Sequence, residues 1–158
     1  MGELGMKISR TKDYEMVAKL NKYVQDLHTH LFPEIFKEYH DLEVRNFFKE
    51  MMNKPNMDFL LIEDIEEPVG YVWIEFKDYP ESAFKKPFKS VYIHQISISK
   101  LHKNKGYGSK LMDEITTIAK TNGINKIELD YWLDNEAAKN FYKKREFIPY
   151  REFVYKDI

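Results

Sequence analysis

Residues 91–108 read Val91-Tyr92-Ile93-His94-Gln95-Ile96-Ser97-Ile98-Ser99-Lys100-Leu101-His102-Lys103-Asn104-Lys105-Gly106-Tyr107-Gly108, and their reading decides the fold. The first half, Val91 to Ser99, is dense in β-branched and aromatic residues and reads as a strand. After the glycines, Leu111, Ile115, Ile118 and Ala119 recur at helical spacing, which predicts a helix from about Gly106 to Thr121. Asn122-Gly123 ends it with a residue pair suited to a left-handed cap. Lys126 to Trp132 reads as the next strand, parallel to the first through a right-handed crossover.

Upstream, Met6 to Arg10 reads as a short strand, and Thr11-Lys12-Asp13 offers side-chain oxygens to cap a helix. Met16, Val17, Leu20, Val24 and Leu27 give that helix its apolar stripe, and it should stop near Pro33. A second helix is expected from Glu34 to Met52. Phe59 to Ile62 has the apolar run of a strand buried on both faces, and Val69 to Phe76 returns from it after a five-residue charged loop. Lys77 to Lys89 reads as a loop. Downstream, Asn135 to Lys144 is a short helix and Phe147 to Tyr155 a final strand. The expected order is β-α-α-β-β-β-α-β-α-β. It implies an α/β single domain over residues 6–158, with one mixed, mostly antiparallel sheet flanked by helices.

A chain of 158 residues can bury a core without disulfides or a structural metal. It has no cysteine, which excludes a disulfide scaffold, a cysteine zinc cluster and a cysteine nucleophile. With 25 basic and 26 acidic residues it shows no electrostatic footprint for nucleic acid. No apolar stretch approaches the roughly 20 residues that span a bilayer, so no membrane partner is expected. The pattern starts at Met6, so the five residues before it read as an appended or misassigned start. No signal-peptide pattern precedes it, and a cytoplasmic protein is expected. Aromatic residues are 15% of the chain, enough that some should line a pocket rather than a core.

The segment Lys103-Asn104-Lys105-Gly106-Tyr107-Gly108-Ser109 carries the chemistry. Glycine lets backbone amides approach a ligand, and the helix start behind it presents unpaired N–H groups and partial positive charge. Lys103, Lys105 and the Ser109 hydroxyl add charge and a donor. The same residues are compatible with a plain strand-to-helix turn carrying solvated lysines. The spacing matches neither GxxxxGK[ST] nor GxGxxG. A second motif follows in Asn135-Glu136-Ala137-Ala138-Lys139-Asn140-Phe141-Tyr142-Lys143-Lys144-Arg145-Glu146-Phe147.

Together these motifs resemble the GNAT family, the Gcn5-related N-acetyltransferases. Lys103-x-x-Gly106-x-Gly108 is similar to that family's Arg/Gln-x-x-Gly-x-Gly/Ala, with lysine at the first position. Asn135, Ala138, Phe141, Tyr142 and Phe147 match its second motif, with Glu146 in place of a glycine. The resemblance implies a GNAT fold, acetyl-CoA as co-substrate and transfer of its acetyl group to an amine. The acceptor would be a small molecule or a peptide. A non-catalytic acyl-CoA-binding sensor is the alternative, and a homodimer stays open.

By the same resemblance, the backbone around Ile96, Ser97 and Ile98 would run beside the pantetheine arm, and residues 103–109 would hold the pyrophosphate. Asn135 and Lys144 match positions that contact the cofactor, and Tyr142 matches a tyrosine near the thioester sulfur. The attacking amine must lose a proton. His94 is the first candidate base and Glu75 the second, because imidazole titrates near neutral pH. Counting by twos places Tyr92, His94, Ile96 and Ile98 on one strand face. His28, Phe32 and Phe36 would line the acceptor cleft, with Trp73, Tyr131 and Trp132 as further candidates for that wall or for the core. No metal site is expected, because His28 and His30, two apart on a helix, point away from each other.

Overall fold

The computed structural model describes residues 5–158. The expectation of no signal pattern rests mainly on residues 1–4, which lie outside the described residues. The chain forms β1 (Met6–Arg10), α1 (Tyr14–Leu31), α2 (Asp41–Met52), β2 (Met57–Asp64), β3 (Glu67–Tyr79), β4 (Phe88–Ile98), a 3-10 turn (Lys100–His102), α3 (Tyr107–Thr121), β5 (Ile127–Leu129) and α4 (Glu136–Lys144). The sheet order is β1-β2-β3-β4-β5. Neighbours are antiparallel from β1 to β4, and β4 and β5 are parallel.

Alternation along the strands sorts side chains to the two faces of the sheet. One face packs Leu60, Ile62, Val72, Ile74, Val91 and Ile93 against Leu111, Met112, Ile115 and Ile118 of α3. The other packs Phe59, Tyr71 and Trp73 against Val17 and Ala18 of α1 and Phe48, Met51 and Met52 of α2. Both faces of β2 are covered, which explains its unbroken apolar run. The expected caps form: Asp13 accepts from the Met16 amide at 2.9 Å, and Gly123 takes a φ of 68° after the Asn122 cap.

The structure departs from the sequence reading at several places, among them the expected loop over Lys77–Lys89, where β3 runs on to Tyr79 and β4 begins at Phe88. The β2–β3 hairpin turns in two residues rather than five. Ile65 and Glu66 both take positive φ, 49° and 62°, the conformation a two-residue turn needs to match strand twist. α2 begins at Asp41, not Glu34. Side chains of α1 hold the intervening loop instead: Gln25 Nε2 and Thr29 Oγ1 donate to the Lys37 carbonyl at 2.7 and 2.8 Å. Tyr39 donates to the Ala18 carbonyl at 2.8 Å.

The strand expected over Lys126–Trp132 shortens to three residues, and that expected over Phe147–Tyr155 does not form. A strand needs a partner edge and a layer to cover one face. Pro149 has no N–H to donate, and Ile148, Phe153, Val154 and Tyr155 are left exposed. This tail stays beside β5 through Tyr150, whose hydroxyl donates to the Glu128 carboxylate.

Candidate active site

The site begins with an irregularity in β4. Trp73 pairs with Gln95 and Ile74 with Ile93, so His94 is one residue more than β3 can match. Such a bulge bends its strand and re-aims side chains. It also corrects the count by twos. Tyr92 and His94 face the α1–α2 side, where His94 stacks on Trp73 at 4.3 Å. Ile96 and Ile98 join Val91 and Ile93 on the α3 side. A buried polar network holds the bulge. Gln95 Oε1 accepts from the Tyr71 hydroxyl at 2.8 Å and from Asn21 Nδ2 at 3.3 Å, and Asn21 also donates to the Tyr71 oxygen at 2.9 Å. The sequence signal for it was an asparagine four residues after Val17, in the middle of an apolar stripe.

The bulge also opens the sheet. β5 pairs with β4 only at Val91, Tyr92 and Ile93, while β4 runs on to Ile98. From His94 onward that edge of β4 has no strand partner among the described residues, and backbone groups there are available to an extended ligand. Ser97, expected among the cofactor contacts, has a buried hydroxyl with no hydrogen-bond partner among the described residues.

His94 and Glu75, read separately from the sequence, meet here. His94 Nε2 lies 2.9 Å from Glu75 Oε2, with the side chains 25% and 16% exposed. Asn56 Nδ2 donates to the other Glu75 oxygen at 3.1 Å, and Lys77 Nζ lies 3.7 Å from Oε2. Both carboxylate oxygens of Glu75 thus have polar neighbours. In the tautomer that donates Nε2–H to Glu75, Nδ1 is left as the ring's acceptor.

Tyr142 reaches the same region through a chain of contacts. Its ring is buried in α4 and stacks on Tyr131 at 5.8 Å. Burial, and after it the Asp130 charge, pushes its phenol above the usual range and keeps the proton on oxygen. Asp130 accepts from the Tyr92 hydroxyl at 2.5 Å, and the Tyr92 ring meets His94 at 4.8 Å. Contacts thus run from α4 across the gap between β5 and β4 to Glu75 on β3. Tyr92 and Asp130 were not singled out from sequence, because nothing local to either residue shows that they pair.

At the mouth of this gap, Gly106 is the N-cap of α3 with φ 84° and no side-chain hydrogen bond to the helix amides. A Cβ placed on Gly106 would meet nothing within 4 Å, so the space beside this cap residue is open. Asn104 also takes a left-handed φ of 62°. Lys103, Asn104 and Lys105 are exposed, and Lys103 Nζ rests over the Tyr23 ring of α1 at 4.5 Å. A helix start without a side-chain cap, flanking lysines and open space beside Gly106 fit a phosphate group. Gly108 has a second role: a Cβ there would touch the Phe141 ring at 3.4 Å. The two sequence motifs therefore meet in space.

Asn135 caps α4, its Oδ1 accepting from the Ala138 amide at 3.1 Å. Lys144 is exposed in the last turn of that helix. Of the expected acceptor wall, Trp73 is buried beneath His94 and donates to Met57 Sδ at 3.2 Å. Tyr131 lies against Tyr142, and the remaining rings form a separate cluster. Phe36 stacks on His28 at 4.7 Å, and Trp132 packs against Phe32 and Phe36 at 4.6 and 5.4 Å. This cluster joins the loop after α1 to the loop after β5. No metal-binding group of three or more His, Cys, Asp or Glu occurs among the described residues, and none of their helices is long and apolar enough to cross a membrane.

Residues 22–147 match the model of the acetyltransferase (GNAT) family. The chain is 33% identical over 60 residues to N-alpha-acetyltransferase 30 of Schizosaccharomyces pombe, a match covering 38% of this chain and 40% of that protein. A mutant of the BH1408 protein from Bacillus halodurans superposes with a TM-score of 0.90 at 22% identity, covering 96% of this chain and 99% of that one. A predicted acetyltransferase from Clostridium acetobutylicum, solved with acetyl-CoA, gives 0.68 at 19% identity over 96% of both chains.

Proposed function

The chain belongs to the acetyltransferase (GNAT) family, and from that premise we propose that residues 6–158 form one N-acetyltransferase domain that moves the acetyl group of acetyl-CoA directly to an amine. The observation carrying this reading is the divergence of β4 from β5 at His94, with a paired imidazole on one side and a buried phenol on the other.

In this reading the amides of Gly106, Tyr107, Gly108 and Ser109 hold the pyrophosphate, with Lys103, Asn104 and Lys105 around it. The unpartnered edge of β4 from Ile96 through Ser97 to Ile98 receives the pantetheine arm. Asn135, through the amide nitrogen its cap leaves over, and Lys144 border the cofactor. His94, oriented by Glu75, takes the proton from the acceptor ammonium. The amine nitrogen then bonds to the thioester carbonyl carbon, the carbon–sulfur bond breaks, and Tyr142 gives the departing thiolate a proton or a hydrogen bond. A phenol kept protonated by burial suits that donor role. No covalent enzyme intermediate is needed, in keeping with a chain that has no cysteine.

His28, Phe32, Phe36 and Tyr131 form the acceptor side, with Trp73 as the floor under His94. The yeast relative is named for N-alpha acetylation, which puts peptide α-amino groups first among acceptors to try, ahead of small amines. A cytoplasmic setting and an amine partner, in a monomer or a homodimer, complete the reading.

Acetyl-CoA titration by calorimetry, followed by a thiol-release assay over peptides and small amines, tests it. Binding and turnover are expected, with Tyr142→Phe lowering kcat by about tenfold or more and leaving affinity unchanged. Binding without turnover on any acceptor would make the protein an acyl-CoA sensor. Absence of binding would reject the reading.

A further inference from the structure

The turn between β2 and β3 lies outside both motifs, yet two of its carboxylates reach the glycine turn. Asp64, the last residue of β2, accepts a hydrogen bond from the Tyr107 hydroxyl. Tyr107 opens α3, and its ring is buried. Glu67, the first residue of β3, lies 3.7 Å from His102 Nε2. The other ring nitrogen of His102 is 2.6 Å from Ser99 Oγ, and the Ser99 amide donates to the Val69 carbonyl at 2.8 Å. Nearby, a Cβ on Gly70 would strike the Ser97 carbonyl oxygen at 2.5 Å, so β3 and β4 are locked close together there. The exposed stretch Lys103 to Gly106 is thus fastened at both ends to the same hairpin, and two of its four residues hold positive φ.

Two carboxylates beside an anion site would weaken it if they faced the anion. Their contacts instead lead away from it, one to a phenol and one to an imidazole. We propose that Asp64 is a positioning residue for the pyrophosphate cradle, fixing the first turn of α3 through Tyr107, with Glu67 supporting the 3-10 turn through His102. This rests on the cradle being the coenzyme A site. Amides held in place before binding lose less freedom when the ligand arrives. The Glu67 contact is long and its carboxylate exposed, so its share is the smaller one.

Calorimetry on the intact protein with coenzyme A and with S-acetylpantetheine, which lacks the pyrophosphate, tests this. Asp64→Ala and Tyr107→Phe should each weaken coenzyme A binding by about fivefold, as expected for one lost hydrogen bond. The double variant should lose no more than either single one, since both remove the same bond. S-acetylpantetheine affinity should not change. Asp64→Asn, which keeps an acceptor oxygen, should retain most coenzyme A affinity, and Asp64→Ala should raise the KM for acetyl-CoA without lowering kcat. Wild-type affinity in both Asp64→Ala and Tyr107→Phe would overturn the proposal alone. So would an equal loss for the two ligands, which would point to general damage. A wild-type protein that binds S-acetylpantetheine and coenzyme A equally well would overturn the pyrophosphate reading, and this proposal with it.

Discussion

The two ends of the gap between β4 and β5 are built from different materials. At one end, residues 99–108 use backbone: amides at a helix start, left-handed φ at Asn104 and Gly106, and polar ties to one hairpin. At the other, His28, Phe32, Phe36 and Trp132 use side chains, carried by the end of α1 and two loops and packed ring on ring. In the proposed reading, a backbone cradle meets what every acyl-CoA shares, and its chemistry is written in glycine spacing. The aromatic wall would meet what differs between acceptors, and its rings come from positions about a hundred residues apart in sequence. In the proposed reading, the first end sets cofactor affinity and the second acceptor choice, with His94 between them. Substitutions should therefore separate into two kinetic classes.

The largest separation is expected at His94. His94→Gln removes the proton acceptor while keeping a polar side chain over Trp73. It should lower kcat by about a hundredfold with acetyl-CoA affinity unchanged, measured by steady-state kinetics and calorimetry on one preparation. Unimpaired turnover would take His94 out of the chemistry. Next is Gly106→Asp, which attacks the other end. Aspartate tolerates left-handed φ better than most residues, and a Cβ there meets nothing within 4 Å, so the fold should survive with Tm lower by about 2–4 °C. The added charge should weaken acetyl-CoA binding by about tenfold or more, while Gly106→Asn, uncharged, should cost less. Equal affinities for the two variants would deny that an anion sits there. Gly108→Asp is a poorer probe, because its Cβ would already touch the Phe141 ring at 3.4 Å and mix packing with charge.

Most of the fold was legible because its signals are local. The apolar stripe of α1, the asparagine caps and the glycine pair each act within a turn or two of themselves, and those elements formed as expected. The errors arose where distant contacts decide the outcome. The loop before α2 is extended because Gln25, Thr29 and the Ala18 carbonyl bind it from α1. β5 is short because a bulge at His94 turns β4 away from it. The tail after Phe147 alternates in apolar residues like a strand but meets no covering layer. The site follows the same division. Motif spacing is what singles out Gly106, Gly108 and Tyr142 as candidates. The union of His94 with Glu75, the Tyr92–Asp130 bond and the Asn21–Tyr71–Gln95 network depend on register, and one extra residue in β4 sets that register.

Trp132→Ala tests the aromatic end directly. Trp132 is partly exposed and bridges Phe32 and Phe36, so losing it should loosen the wall without reaching the cradle. The KM for the acceptor should rise about fivefold, from the roughly 1 kcal/mol that aromatic contacts of this kind supply, while the KM for acetyl-CoA holds. A change confined to acetyl-CoA would exchange the roles assigned to the two ends.

The smallest effect concerns His28, whose ring stacks on Phe36 and whose pKa burial lowers. The unfolded chain, with an ordinary histidine value near 6.5, then binds that proton more readily than the folded one. Stability therefore rises with pH as this group titrates, and its contribution is complete above about pH 6.5. Below that it declines, until the pH passes the lowered folded value. His28→Phe keeps a ring against Phe36 and removes the titration. Its Tm, relative to wild type, should be higher at pH 5 than at pH 8, and the pH 8 difference isolates packing alone. Parallel Tm curves across that range would mean that the imidazole stays hydrated and that the aromatic end is open to water where its rings touch.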